Sequence, residues 1–234
     1  HKDSSYHQNK RRLASSVGVK LLTVFEDEWL DQASRLRVMF RILSMIGASR
    51  VRMARKTVCR QITWVEARGF LDAHHMQGSG VPSSACYGLF DGHELVAVST
   101  WGKSRFDKQA ELELLRFSCV NSDRVVGGLG KMFKAFRCDV RPTSVVTYAD
   151  LRWGDGAAYA KVGFVDGGET KPGYFWCKGV ARFNRYDFQK HKLASVLRNF
   201  DRELSEVDNC HVNGYWRIYD CGHRRWLWFD KGVA

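Results

Sequence analysis

The stretch from Glu113 to Ala149 constrains the fold more than any other part of the chain. An apolar, β-prone run (Glu113 to Val120) precedes the glycine-rich turn Val125-Val-Gly-Gly-Leu-Gly130. A helical stretch, Lys131 to Cys138, and a buried strand, Ser144 to Ala149, follow. Strand, glycines, helix and strand in that order predict an α/β chain. The turn also sets several backbone N–H groups at a helix N-terminus, where an anion binds well, and Lys131 adds charge in the first turn. Gly127, Gly128, Gly130 and Lys131 are therefore candidate cofactor-binding residues. Glycines also permit tight chain reversal, and the turn alone leaves both readings open.

The alternating texture extends on both sides. Val58 to Ile62 predicts a strand and Trp64 to His74 a helix. Cys86 to Phe90 and Glu94 to Trp101 predict a hairpin around Asp91-Gly92, the strongest local turn signal in the chain. Ala157 to Val162 predicts a short helix and Gly173 to Lys178 a strand. Upstream, Tyr6 to Ser16 predicts an exposed basic helix ending at Gly18, and Val19 to Phe25 a buried strand. Leu36, Met39, Phe40, Leu43 and Ile46 then fall at helical spacing before Gly47. The tail begins basic and helical (Leu193, Val196, Leu197, Phe200) and turns aromatic from Tyr215 to Phe229. That aromatic stripe reads either as core or as a base-stacking surface.

Charge narrows the class of partner. Lys and Arg number 37 against 25 Asp and Glu, a formal net charge of +12. From Gln32 to Val65 there are eight basic residues and no acid. A solvated surface usually intersperses both signs, so this run points to phosphate and to double-stranded DNA as partner. Lys10, Arg11, Arg12, Arg37, Arg41, Arg50, Arg52, Arg55 and Lys56 are the candidate contacts, expected to share one surface; the alternative is a solvated helix face. No window reaches the roughly 18 apolar residues of a membrane span, and the first residues lack a signal-peptide core. Seven scattered cysteines without a CxxC pair predict reduced thiols and a cytoplasmic setting (the host's, if phage-encoded). The spacing of Cys210-His211 and Cys221 with His223 fits no zinc pattern.

From the glycine turn through Tyr159-Ala-Lys-Val-Gly-Phe164, the order of elements resembles the second half of the GNAT acyltransferase fold. That resemblance implies acetyl-CoA or a related donor, its pyrophosphate cradled by the turn and Tyr159 facing the thioester sulfur. Arg124 stands one residue further from Gly128 and Gly130 than in the family's usual turn. His75-Met-Gln-Gly78 with Pro82, and Asp150 closing the strand after the glycine helix, resemble the Mom-type DNA-modification branch. There His75 or Asp150 would orient or deprotonate a base amino group. The alternatives are a loop histidine and a cap on the following turn.

Lys10 through Trp29 resembles the end of very-short-patch-repair-type nucleases, in which a basic helix leads through Gly18 into a strand and then Phe25-Glu26. With Trp101-Gly-Lys-Ser-Arg-Phe106, Tyr148-Ala-Asp-Leu-Arg-Trp153 and Ile218-Tyr-Asp-Cys-Gly222, the whole chain resembles the phage Hef-like homing endonucleases. The main functional expectation is accordingly a DNA-binding protein cutting double-stranded DNA by metal-assisted hydrolysis, with Mg²⁺ as cofactor. The catalytic carboxylates of such nucleases lie upstream of the basic helix, so the core is expected to be incomplete here. His1, Asp3, His7, Glu26, Asp27 and Glu28 remain, with His7 and Glu26 the best catalytic candidates and Glu26 the metal ligand. The alternative readings are an exposed helix residue for His7 and an arginine-paired carboxylate for Glu26. The alternative function is a GNAT/Mom-like transferase modifying a nucleobase from an acyl-CoA-type donor. The expected architecture is α/β (α+β): a truncated nuclease-like β-α unit with the basic helix (1–47), a basic linker (48–60), a GNAT-like mixed-sheet domain (61–180) and a basic, helical and aromatic extension (181–234).

Overall fold

The structure, a computed structural model, describes residues 3–230 and Gly232; His1 lies outside the described residues. The chain begins with helices α1 (Tyr6–Ser16), α2 (Glu26–Leu30) and α3 (Gln32–Met45), followed by strands β1 (Arg50–Met53) and β2 (Val58–Gln61) and helix α4 (Trp64–His74). The middle holds β3 (Ala85–Asp91), β4 (Glu94–Lys103), β5 (Leu112–Cys119), β6 (Asp123–Val126), α5 (Gly128–Val140), β7 (Ser144–Asp150) and α6 (Ala157–Ala160). The last third holds β8 (Val165–Glu169), β9 (Tyr174–Lys178), β10 (Ala181–Asn184), α7 (Leu193–Val196), α8 (Glu206–Val212), β11 (Trp216–Tyr219) and β12 (His223–Phe229).

Contacts divide the chain into two units. The first comprises His1–Leu30, Asp150–Asp155 and Glu169–His223; the second comprises Asp31–Ala149, Gly156–Gly168 and Arg224–Ala234.

The second unit is built on a seven-stranded sheet of order β2-β3-β4-β5-β7-β12-β8. Strands β2 to β5 are antiparallel neighbours, while β5 and β7 run parallel. α4 begins with a capping box in which Thr63 and Glu66 satisfy each other's backbone N–H groups. Its Ala67, Phe70 and Leu71 are buried with Cys86 and Val98 on one face of the sheet. The other face receives α5, whose Leu129, Met132, Phe133 and Phe136 recur at helical spacing and are all buried. Trp101 stacks on Phe136 there, with ring centroids 4.0 Å apart at 9°.

The second unit also draws on the segment 48–60 and on the tail. The segment expected as a basic linker carries β1, paired in parallel with β6, and β2, the strand expected from Val58, which edges the main sheet. Arg50 to Met53 and Asp123 to Val126 lie far apart in sequence, so neither signals the other locally. The tail also contributes to this unit: β12 inserts between β7 and β8, burying Trp226, Leu227 and Trp228.

The first unit contains α1, α2 and the three-stranded antiparallel sheet β10-β9-β11. Its small core gathers Trp176, Phe188, Leu193, Leu197 and Cys210. The strand expected at Val19 to Phe25 does not form; this stretch pairs with no strand and only Phe25 is buried. A β-branched sequence becomes a strand only where a neighbour supplies ladder partners, and here Thr23 N–H reaches a single carbonyl, that of Arg152, at 3.5 Å. All seven cysteines are free thiols, and no described helix is long and apolar enough to cross a membrane.

Candidate active site

In the second unit, β5 and β7 part after a short stretch of pairing. These parallel strands pair only at Leu112–Val145 and Glu113–Val146. On its other side, β5 shifts register against β4: Thr100 faces Arg116 and Trp101 faces Leu114, leaving Leu115 without a partner in that ladder. Such a bulge bends its strand and strengthens the local twist. Gly102 accommodates it, since a Cβ there would stand 2.9 Å from the Leu115 side chain. Beyond the bulge β5 leaves β7, and the Thr147 hydroxyl bridges back to Leu114 O at 3.2 Å.

Tyr159, on α6, sits at this gap. Its ring packs into the main core beside Phe164 and Trp226. Burial pushes its phenol pKa up, against the opposing pull of the Thr147 hydroxyl and the Arg41 guanidinium. The phenol therefore keeps its proton throughout the neutral range.

The glycine turn becomes the start of α5. Gly127 is its N-cap in the left-handed conformation (φ 79°), and the first intrahelical bond runs from Lys131 N–H to Gly127 O. The N–H groups of Gly128, Leu129 and Gly130 thus precede the helical ladder, the arrangement that favours an anion. The glycines also serve packing: a Cβ on Gly128 would press on Val125 and one on Gly130 on Val162, each at 3.2 Å. Lys131 turns away from this end. Its ammonium donates to Ala54 O at 3.0 Å and to Thr57 O, tying down the turn between β1 and β2.

The remaining candidates are dispersed. His75 follows α4, and its Nδ1 accepts from Gln77 N–H at 3.1 Å. Asp150 ends β7 and accepts from Arg152 N–H at 3.0 Å and from the Arg152 guanidinium at 2.9 Å. In the first unit, Arg152 is 5% exposed and also bonds Glu28 at 2.9 Å. Burial opposes its charge, but the carboxylates of Asp150 and Glu28 outweigh that, and its pKa is raised. Arg182 joins the cluster through Asp27 and Glu28, both at 3.1 Å. Both guanidinium groups lie 4.4 Å from the Phe25 ring. Sequence reasoning passed over Arg152 and Arg182 because Glu28, which joins them, is more than a hundred residues away from each.

This cluster explains why the nuclease expectation fails. Asp27 and Glu28 are committed to arginines, and Glu26 is exposed on α2. His7 packs edge-on to Phe25 at 6.4 Å, its pKa lowered chiefly by burial and further by Lys10 and Arg152. Among the described residues no three His, Cys, Asp or Glu side chains group to hold a metal ion.

The basic residues are likewise not uniform. Arg52 pairs with Asp91 at 2.7 Å, Glu94 at 2.8 Å and Asp123. Arg11 and Arg12 share Glu169 at 2.6 and 2.9 Å, and Arg37 donates to Asp72 O and Ser34 Oγ. Lys10, Arg41, Arg50, Arg55 and Lys56 are exposed.

No protein-family model and no curated protein matches the chain. Among solved structures, it is similar to a Bacillus subtilis acetyltransferase in complex with CoA, at 16% identity over 75% of this chain and 99% of that one (TM-score 0.42). A ribosomal-protein-S5-alanine acetyltransferase from Vibrio fischeri is 12% identical over 76% and 96% (TM-score 0.42). A GNAT family acetyltransferase from Elizabethkingia anophelis with acetyl-CoA bound is 11% identical over 75% and 99% (TM-score 0.41). The chain is of mixed α/β class with a large, seven-stranded mixed sheet. The expectation of a homing endonuclease, with its hydrolase chemistry and Mg²⁺, is corrected: Asp27 and Glu28 are held in ion pairs, Glu26 stands exposed, and no three possible metal ligands gather among the described residues.

Proposed function

We propose that the protein is a GNAT-type acyltransferase that takes an acyl-CoA donor and acts on an amino group of a nucleobase. The observation that carries this is the parting of β5 from β7 at a bulge, with the half-buried Tyr159 beside Thr147 of β7. The residues fit such a donor in two respects. The leading N–H groups of α5, at Gly128, Leu129 and Gly130, suit a pyrophosphate, and the gap between the strands is lined by backbone groups without ladder partners. Lys131 would not take part, being bonded to Ala54 O and Thr57 O. When bound, the donor supplies an acyl carbonyl activated by a thiol leaving group.

Acyl transfer to an amine moves one proton from nitrogen to sulfur. Tyr159, which holds its proton, is suited to hydrogen-bond the departing sulfur and return a proton to it. The exposed side chains of Arg41, Arg50, Arg55 and Lys56 suit an acceptor carrying phosphates, such as DNA.

Calorimetry with acetyl-CoA tests the donor, and mass spectrometry of DNA incubated with protein and acetyl-CoA tests the acceptor. Binding in the micromolar range and an added acyl mass are expected. Tyr159→Phe should lower kcat about 10²-fold or more while leaving donor affinity within a few-fold. No binding of acetyl-CoA at high micromolar concentration overturns the proposal.

A further inference from the structure

On the α4 face of the sheet, three cross-strand neighbours stand in a row: Cys86 on β3, Thr100 on β4 and Arg116 on β5. Thr100 is fully buried, and its Oγ1 has no hydrogen-bond partner. Arg116 is only partly exposed and makes no ion pair among the described residues. Its Nε donates to Gly78 O at 3.2 Å and its Nη1 to Leu115 O at 2.8 Å. Nη2 lies under the loop after α4, 3.1 Å from where a Cβ on Gly80 would stand. The nearby carboxylate of Glu113 is spent on Arg105, which it meets at 2.8 Å.

Both features are costly unless something compensates them. A buried hydroxyl without a partner and a desolvated guanidinium without a counter-charge each work against folding. Burial, and secondarily the like charge of Arg105, hold the Arg116 pKa below its usual value. Directly opposed residues of an antiparallel pair have Cβ atoms roughly 5 Å apart on one face of the sheet, so the Thr100 and Arg116 side chains leave it side by side. One oxyanion placed there accepts from both. Arg116 directly follows the bulge at Leu115, beyond which β5 leaves β7.

We propose that Arg116 and Thr100 form an oxyanion pocket that grips a phosphate or carboxylate group of a substrate during transfer. The chemistry is common to two sources: the phosphate of a nucleotide acceptor, or a carboxylate on the acyl group of the donor. Its place in catalysis rests on the transferase proposal, whereas the pocket rests on these side chains alone.

The test measures binding of deoxyadenosine 5′-monophosphate against deoxyadenosine, and of succinyl-CoA against acetyl-CoA, to the intact protein. At least one charged probe should bind about tenfold or more tightly than its uncharged counterpart, the scale of a single charge-assisted contact; which one does identifies the source. Arg116→Gln should bring that ratio close to one, with Arg116→Lys restoring part of it. Thr100→Val should reduce the charged probe's affinity several-fold while keeping or raising Tm, since it removes an orphaned hydroxyl without changing shape; it carries the test if Arg116→Gln does not fold. Equal binding within both pairs, or a ratio that survives Arg116→Gln, overturns the pocket. Charged-probe selectivity without any acetyl-CoA or succinyl-CoA binding overturns the transferase proposal and leaves the pocket standing.

Discussion

Arg152 ties two carboxylates and an aromatic ring together in the first unit. It holds Glu28, 124 residues away, together with Asp150 at the end of β7, and lies against the ring of Phe25. Breaking a buried pair by removing one partner strands the other charge, so Arg152→Met should cost about 3–5 kcal/mol in chemical denaturation. Glu28→Gln, which keeps the shape, should cost less. Lys131→Met should lower stability by about 2 kcal/mol, because it deletes charged bonds to Ala54 O and Thr57 O. Acetyl-CoA affinity should change little in that variant. The sequence placed Lys131 correctly in the first turn of α5 but could not say where its ammonium goes, since both acceptors are more than seventy residues upstream. The same blindness hid Arg52, whose three carboxylates come from β3, β4 and β6, and left it among the phosphate contacts.

Elements whose signals are local were legible. α4 runs from Trp64 to His74 as expected because Thr63 and Glu66 fix its start, and the β3–β4 hairpin turns at Gly92 (φ 62°). α1 ends as read, with Gly18 at φ 76°. What failed was pairing: Val19 to Phe25 has strand composition but no neighbour, whereas β1 and β6 find each other across seventy residues. Histidines report on two of the helices. His74 at the end of α4 is pushed below its usual value by burial and accepts from Asn121 N–H at 3.4 Å, and His7 on α1 is lowered in the same way. A folded-state pKa below the ordinary 6.5 means the unfolded chain takes up protons first. Stability should be full above about pH 6.5 and decline as pH falls through it. Thermal melts between pH 7 and 5 should reveal the fall, and His74→Gln should flatten part of it.

At the scale of the molecule, the excess positive charge is unevenly available. Arg11, Arg12 and Arg52 are matched with carboxylates, while Arg41, Arg50, Arg55 and Lys56 are exposed on the second unit. If phosphate contact follows exposure, Arg55→Glu with Lys56→Glu should weaken DNA binding and flatten its decline with salt. Arg52→Glu should instead destabilise the fold, setting a fourth carboxylate against Asp91, Glu94 and Asp123. The order in which the main sheet is laid down has a kinetic corollary. β12 belongs between β7 and β8, so a nascent polypeptide on the ribosome has to hold two strand edges open until residue 229 has emerged. During that interval those edges are available to other chains. Slowed translation between residues 169 and 229 should therefore lower the yield of folded protein, and a chaperone covering the gap should restore it.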